Sequence, residues 1–185
     1  MLPDFVSSLG KHPQLINEKD HHDDTPLHEA CLCGNLTIVK VLLDHGADIL
    51  AQNKDKEHPI HAACKEGYFE IVKEFCRRKH EDTKTLKLAE ARDSRFNAPM
   101  HLAVESGDLE TVKVLLVARA NPSVQNKDEV LPIHIAAGHG YLDICRILVE
   151  NDPGSLNYLD CNLQSPLHYA ARANHVHIIK YLISK

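Results

Sequence analysis

Tryptophan is absent from the 185 residues, and aromatics of any kind make up only 5%. A core must therefore be built from Leu, Ile, Val and Ala, which suits close helix packing, and 43% hydrophobic residues supply enough of them. Long apolar runs are missing too, and none approaches the ~20 residues that a membrane span needs. A basic excess is also lacking: with 21 Lys and Arg against 26 Asp and Glu, the formal net charge is -5. That balance argues against a nucleic-acid binder, which needs a basic footprint. The six cysteines contain no CxxC pair, and "MLPDFVSSLG" has neither the basic region nor the apolar stretch of a secretory signal. Together these features argue against a disulfide scaffold. They point to a soluble, reduced, intracellular chain of about one domain, cytoplasmic with the nucleus as an alternative.

Motifs of catalysis and ligation are equally scarce. There is no HExxH, no Cys/His spacing of zinc type, no P-loop, GxGxxG or GxSxG. The 14 histidines invite a metal hypothesis, and "HHDD" at 21–24 offers two imidazoles and two carboxylates, but neighbours in sequence seldom converge on one ion without a second segment. Cys31 and Cys64 occupy a position filled elsewhere by Val104, Ala137 and Ala171, which marks them as small core residues. No enzyme activity, metal site or cofactor is expected.

What the chain does have is a sentence repeated five times. "DTPLHEA" returns as "HPIHAA", "APMHLA", "LPIHIA" and "SPLHYA". The shared prolines are Pro26, Pro59, Pro99, Pro132 and Pro166, and the histidines His28, His61, His101, His134 and His168, spaced by 33, 40, 33 and 34 residues. A period of this size is the mark of stacked repeats. Two places after each histidine stands Ala; six places after stand Gly34, Gly67, Gly107, Gly140 and Asn174. Gly and Asn tolerate the left-handed conformation that ends a helix. Proline suits the first helical turn, and Thr25 and Ser165 just before it are placed to cap. A second helix follows, with Leu36, Val39, Leu42 and Leu43 on one face in the first copy. Eight residues before each histidine, Asp20, Asn53, Asp93, Asn126 and Asp160 favour turn starts.

The segment "TPLHEACLCGNLTIVKVLLDHGADI" resembles an ankyrin repeat, and the likeness runs over residues 15–185. The resemblance implies an all-α solenoid of stacked helix pairs with short β-hairpin fingers, the fingers and first helices lining a concave face. It implies that the motif histidine bonds the preceding Thr hydroxyl and backbone. Only Thr25 and Ser165 supply a hydroxyl; His58, Ala98 and Leu131 replace it, so backbone acceptors should serve the middle copies, with caps weaker by roughly 1 kcal/mol. The whole chain is expected to be one domain, with a partial repeat at 1–20, repeats at 21–53, 54–93, 94–126 and 127–160, and a truncated one at 161–185.

Several positions depart from that pattern. The 40-residue spacing carries an insertion in "RRKHEDTKTLKLAEARD", read as a solvated loop or an added turn carried by Leu86 and Leu88, with a docking loop as the alternative. The finger position that is usually Gly holds Asp23, Lys56, Phe96, Glu129 and Leu163. "HPQLINEKD" aligns with "DPGSLNYLD", and the apolar last helix also points to an excerpt of a longer array, with a native start at Met1 and a half-repeat cap as the alternative. Lys40, Lys73, Lys113, Arg146 and Lys180 fall in register, with Glu70, Glu110 and Asp143 three residues before the middle ones, which suits local ion pairs.

By the same resemblance, the variable positions that recognise a protein partner are Lys54, Asp55, Glu57, Lys65, Glu66, Arg95, Asn97, Glu105, Lys127, Asp128, Val130 and His139 in the middle copies. Asn162, Gln164 and Arg172 join them from the last copy. Phe96, Arg95 and Leu163 are the expected anchors. The expected function is a protein-interaction module. The alternative is a structural or regulatory segment of a larger protein, such as the cytoplasmic array of an ankyrin-rich transient receptor potential channel.

Overall fold

A computed structural model of the chain describes residues 13–78 and 88–185. Each proline of the repeated motif opens a short first helix: α1 (Pro26–Leu32), α3 (Pro59–Lys65), α5 (Pro99–Ser106), α7 (Pro132–His139) and α9 (Pro166–Arg172). Each of these ends beside a residue of positive φ, namely Gly34 (69°), Gly67 (71°), Gly107 (76°), Gly140 (78°) and Asn174 (60°). The chain then reverses into a second helix: α2 (Leu36–Asp44), α4 (Phe69–Arg77), α6 (Leu109–Val117), α8 (Leu142–Asn151) and α10 (Val176–Ile183). The helix stop is obligatory for packing as well as backbone at Gly107, where an added Cβ would meet the Tyr141 ring at 2.7 Å.

Capping differs from the expectation in one respect. Thr25 and Ser165 do not cap their helices through their hydroxyls. Instead the motif histidine, three residues into the helix, accepts the N–H of the residue before the proline on its Nδ1. This bond recurs at Thr25, His58, Ala98, Leu131 and Ser165, at 3.0–3.2 Å. The hydroxyls of Thr25 and Ser165 donate to the same Nδ1 atoms, at 2.9 and 2.8 Å. The cap therefore resides in the histidine, and the backbone serves every copy.

The other ring nitrogen joins the repeats. Nε2 lies against a carbonyl oxygen of the next finger, so it must carry the proton and donate. His28 reaches Glu57 O at 3.0 Å, His61 reaches Asn97 O at 3.3 Å, and His101 reaches Val130 O at 2.9 Å. His134 lies between Tyr158 O and Gln164 O, at 3.2 and 3.1 Å. A neutral histidine is required for both bonds. Burial pushes His61 and His101 down to about 4 each, which keeps them neutral.

Each finger is a tight turn organised by its Asp or Asn. The Oδ1 atoms of Asp20, Asn53, Asp93, Asn126 and Asp160 each accept two backbone N–H groups, at 2.7–3.0 Å. Asp23, Lys56, Phe96, Glu129 and Leu163 hold φ between 58° and 64° there. Among the described residues no strand is assigned, and neighbouring fingers are tied by single N–H···O bonds. These are Lys54 to His22, Ser94 to Asp55, Lys127 to Arg95 and Cys161 to Asp128, at 2.7–3.0 Å.

The first helices stack on one another as an inner layer and the second helices as an outer one, with each pair also packed together. Between the layers runs one apolar core, from Leu27 and Leu42 through Ile60, Phe75, Met100, Leu115, Ile133 and Leu148 to Ile178. Residues Pro13–Asn17 and Pro153–Asn157 both form a 3-10 turn, as their alignment in sequence suggested. Residues 1–12 of the partial repeat expected at 1–20 lie outside the described residues. So does Leu86, with most of the insertion; Leu88, at its end, is buried.

Candidate functional site

The inner layer and the fingers bound a concave face, and the repeat frame dictates which side chains reach it. Since the motif histidines bond the carbonyls of Glu57, Asn97, Val130 and Gln164, the frame fixes the backbone of four expected recognition positions directly. Asparagines extend the tie sideways: Asn53 Nδ2 donates to Asp24 Oδ1 at 2.9 Å, and Asn126 Nδ2 to Asn97 Oδ1 at 3.0 Å.

Two adjoining clefts open on this face. The first, about 290 Å³, is lined by Asp55, Glu57, Lys65, Arg95, Asn97 and Glu105, together with Asp93, Ser94 and Leu102. The second, about 410 Å³, shares Arg95, Asn97 and Glu105 and adds Asp128, Val130, His139 and Arg172 around Ile135, Gly138 and Tyr169. Arg172 stacks over the Tyr169 ring at 4.7 Å and donates to Gln164 Oε1 at 3.0 Å. The Tyr169 hydroxyl donates to Asp160 at 2.8 Å. Burial and that bond push the phenol up to about 12, so it stays a donor. The second cleft thus has an apolar and aromatic floor of Ile135, Gly138 and Tyr169, while the walls of both carry both signs of charge.

Of the expected anchors, only Arg95 lines these clefts, and it lines both. Phe96 and Leu163, 57% and 74% exposed, stand at finger tips outside them. Lys54, Glu66, Lys127 and Asn162 are exposed without lining either cleft, and Lys54 donates to His21 O. Leu102, Ile135 and Tyr169 were missed. They share one register, the residue directly after the motif histidine, where Glu29 and Ala62 stand in the first two copies. That variation was a readable signal. A further grouping is visible only in three dimensions: ligand oxygens of Asp20, Asp24 and Glu29 lie within 4.8 Å of one another at the N-terminal end of the face.

Ion pairs are distributed unevenly over the two faces. Lys73–Glu70, Lys113–Glu110 and Arg146–Asp143 close at 3.7, 2.7 and 3.5 Å. Arg77 and Arg78 pair with Glu74, and Arg78 also with Asp44. Among the described residues, all these pairs belong to the outer layer, and none joins charges of the concave clefts. Burial raises the thiols of Cys31 and Cys64, and pushes Cys145 up to about 12, so these three offer no thiolate at neutral pH.

A stacked array of turn, helix and helix with a solvated concave face defines a repeat-built interaction module. The family model for ankyrin repeats (3 copies) matches residues 4–91 and again 100–185, so the chain belongs to the ankyrin-repeat family, whose repeats are non-catalytic protein-interaction modules. Among curated proteins it is similar to a transient receptor potential cation channel subfamily A member 1 homolog of Caenorhabditis elegans, 29% identical over 171 residues. That match covers 92% of this chain and 14% of the channel. The human channel of the same name is 28% identical over 188 residues, covering 100% of this chain and 16% of the channel. A probable 26S proteasome regulatory subunit p28 of Saccharomyces cerevisiae is 29% identical over 160 residues, covering 85% of this chain and 68% of that subunit. Among the described residues, no helix is long and apolar enough to cross a membrane.

Proposed function

We propose that this array binds a protein partner through its concave face, with Arg95, Glu105 and Tyr169 at the centre, and performs no catalysis itself. The distribution of ion pairs carries the reading. Lys73, Lys113 and Arg146 of the outer layer each close on a carboxylate of their own helix, whereas Asp55, Glu57, Lys65, Arg95 and Glu105 line one cleft without forming ion pairs among themselves. Arg95 and Glu105 also border the apolar floor of the second cleft, and a charge held in this way on an ordered frame is available to a partner.

The test is a lysate pull-down followed by affinity measurement on the captured protein. Arg95→Glu, or Tyr169→Ala, weakens binding about tenfold or more while the melting curve stays put. Charge reversal at Arg146 on the outer layer leaves binding intact. The opposite pattern sinks the reading. A second reading, a regulatory array within a larger protein of the cation-channel kind, is favoured by one observation: the chain spans only 14–16% of its channel relatives. Its partner surface would then be another part of the same polypeptide.

A further inference from the structure

The outer layer has a defect in its register. Sixteen and seventeen residues after the motif histidine stand Asp44 and His45, Arg77 and Arg78, and Glu150 and Asn151. In the remaining full copy these two polar positions are Val117 and Ala118, and Val117 is 85% exposed. Between α2 and α4 the corresponding space is bridged, because Arg78 pairs with Asp44 at 2.8 Å and reaches Lys40 O at 3.5 Å. Between α4 and α6 the register of Arg78 is held by Ala118 and that of Asp44 by Arg77. A bridge of that kind cannot form, and a groove of about 440 Å³ stays open.

The groove is lined by Cys76, Val114, Val117 and Ala118 and rimmed by Lys73, Arg77 and Lys113, and among the described residues no carboxylate lines it. Burial pushes the Cys76 thiol up to about 11, so the floor is uncharged at neutral pH. The rim cations pair one helical turn back with Glu70, Glu74 and Glu110. The Lys73–Glu70 and Lys113–Glu110 pairs, between half-exposed side chains, contribute little, so these two cations can turn to a partner at small cost. The buried Glu74 keeps Arg78 as its partner when Arg77 turns. Both walls are helices whose backbones are internally bonded, which leaves no edge for a strand to extend. Two neighbouring helices do offer a groove that takes the side-chain ridge of a third.

We propose that this groove docks an amphipathic helix of a partner protein, its apolar ridge seated on Val114, Val117 and Ala118 and its flanking carboxylates on Lys73, Arg77 and Lys113. This site is separate from the concave face and stands whether or not that face binds.

The probe is a capped synthetic helix of about four turns, with a leucine stripe carrying one tryptophan and glutamates on both flanks. Because the chain has no tryptophan, emission reports the peptide alone. Titration should give a saturable blue shift, and the same helix with lysine flanks should bind about tenfold weaker or less. Val117→Asp, which restores the residue type of Asp44, should weaken binding about tenfold or more. Ala118→Glu, which offers Arg77 a carboxylate and closes the groove, should do the same. Both positions accept polar residues in sister repeats, so the melts should not move. Equal binding of the two peptides, no binding of either, or wild-type affinity in both variants overturns the proposal. So does binding to phosphatidylserine vesicles that Val117→Asp abolishes while the peptide fails to bind, since the groove would then serve a lipid surface.

Discussion

At each finger tip a residue with a side chain occupies backbone space that glycine prefers: Asp23, Lys56, Phe96, Glu129 and Leu163 hold φ between 58° and 64°. An L-residue pays about 1 kcal/mol or more for this conformation. Lys56→Gly should therefore raise stability by roughly 0.5–1 kcal/mol, after glycine's larger unfolded-state entropy is deducted. A lowered urea midpoint would show that the turn carries no strain. The helix stops behave oppositely. Gly107→Val combines a positive φ with a Cβ 2.7 Å from the Tyr141 ring, whereas at Gly67 the nearest atom, Asp108 Cβ, is 3.2 Å away. The expected losses are about 3 and about 2 kcal/mol respectively. Asn174, already at φ 60°, should accept Gly without loss. Thermal melts decide all three, and equal midpoints for wild type and both valine variants would refute the stop assignment. These positions were legible in the sequence because they follow from spacing alone. Which side chains line a cleft was less so: Arg95 and Phe96 are neighbours in one finger, yet only Arg95 faces inward.

Between elements, the motif histidine couples a helix cap to the next finger, and that coupling requires the neutral ring. His61 and His101 titrate near 4 in the folded chain against 6.5 when free, through burial first. Their charged neighbours, His58 and Asp93 for the one, Arg92 and Asp93 for the other, modify this less. Above pH 6.5 neither state carries the proton, and their full stabilisation is present. As pH falls from 6.5 toward 4 the unfolded chain binds protons that the folded chain refuses, so stability drops. The slope is about 1.4 kcal/mol per pH unit for each histidine. Urea denaturation from pH 8 to 5 should be flat above 7 and fall steeply below 6; a level profile to pH 5 would remove the neutral-ring requirement. The repeated histidine announced a shared structural task in the sequence. Its second bond, to a carbonyl about one repeat away, was not announced, because it depends on how tightly the repeats stack. The same holds for Arg78 and Asp44, joined across two helices, while Lys113 and Glu110 were foreseeable from helical spacing.

Across the whole molecule, stability should follow how many neighbours each repeat has, since a solenoid's interfaces are local. Burial already grades along the stack. In α5 the residues Pro99, Met100, His101, Leu102, Ala103 and Val104 are all buried, whereas α9 buries only Pro166 and Ala170, and α10 only Ile178. His168 is exposed, whereas His61 and His101 are buried and bond the finger that follows. Native-state hydrogen exchange should therefore show graded rather than uniform protection. Amides of α5 and α7 should exchange only on global unfolding, and those of α9 and α10 about tenfold or more faster through local opening. Binding of a partner in the second concave cleft, which joins Arg95 and Glu105 to Tyr169 and Arg172, would tie the last repeat to the middle. Protection in α9 should then rise with partner concentration while that of α5 changes less. Equal protection from α1 to α10 in the free chain would mean that the array unfolds as one unit and that its interfaces are stronger than nearest-neighbour stacking supplies.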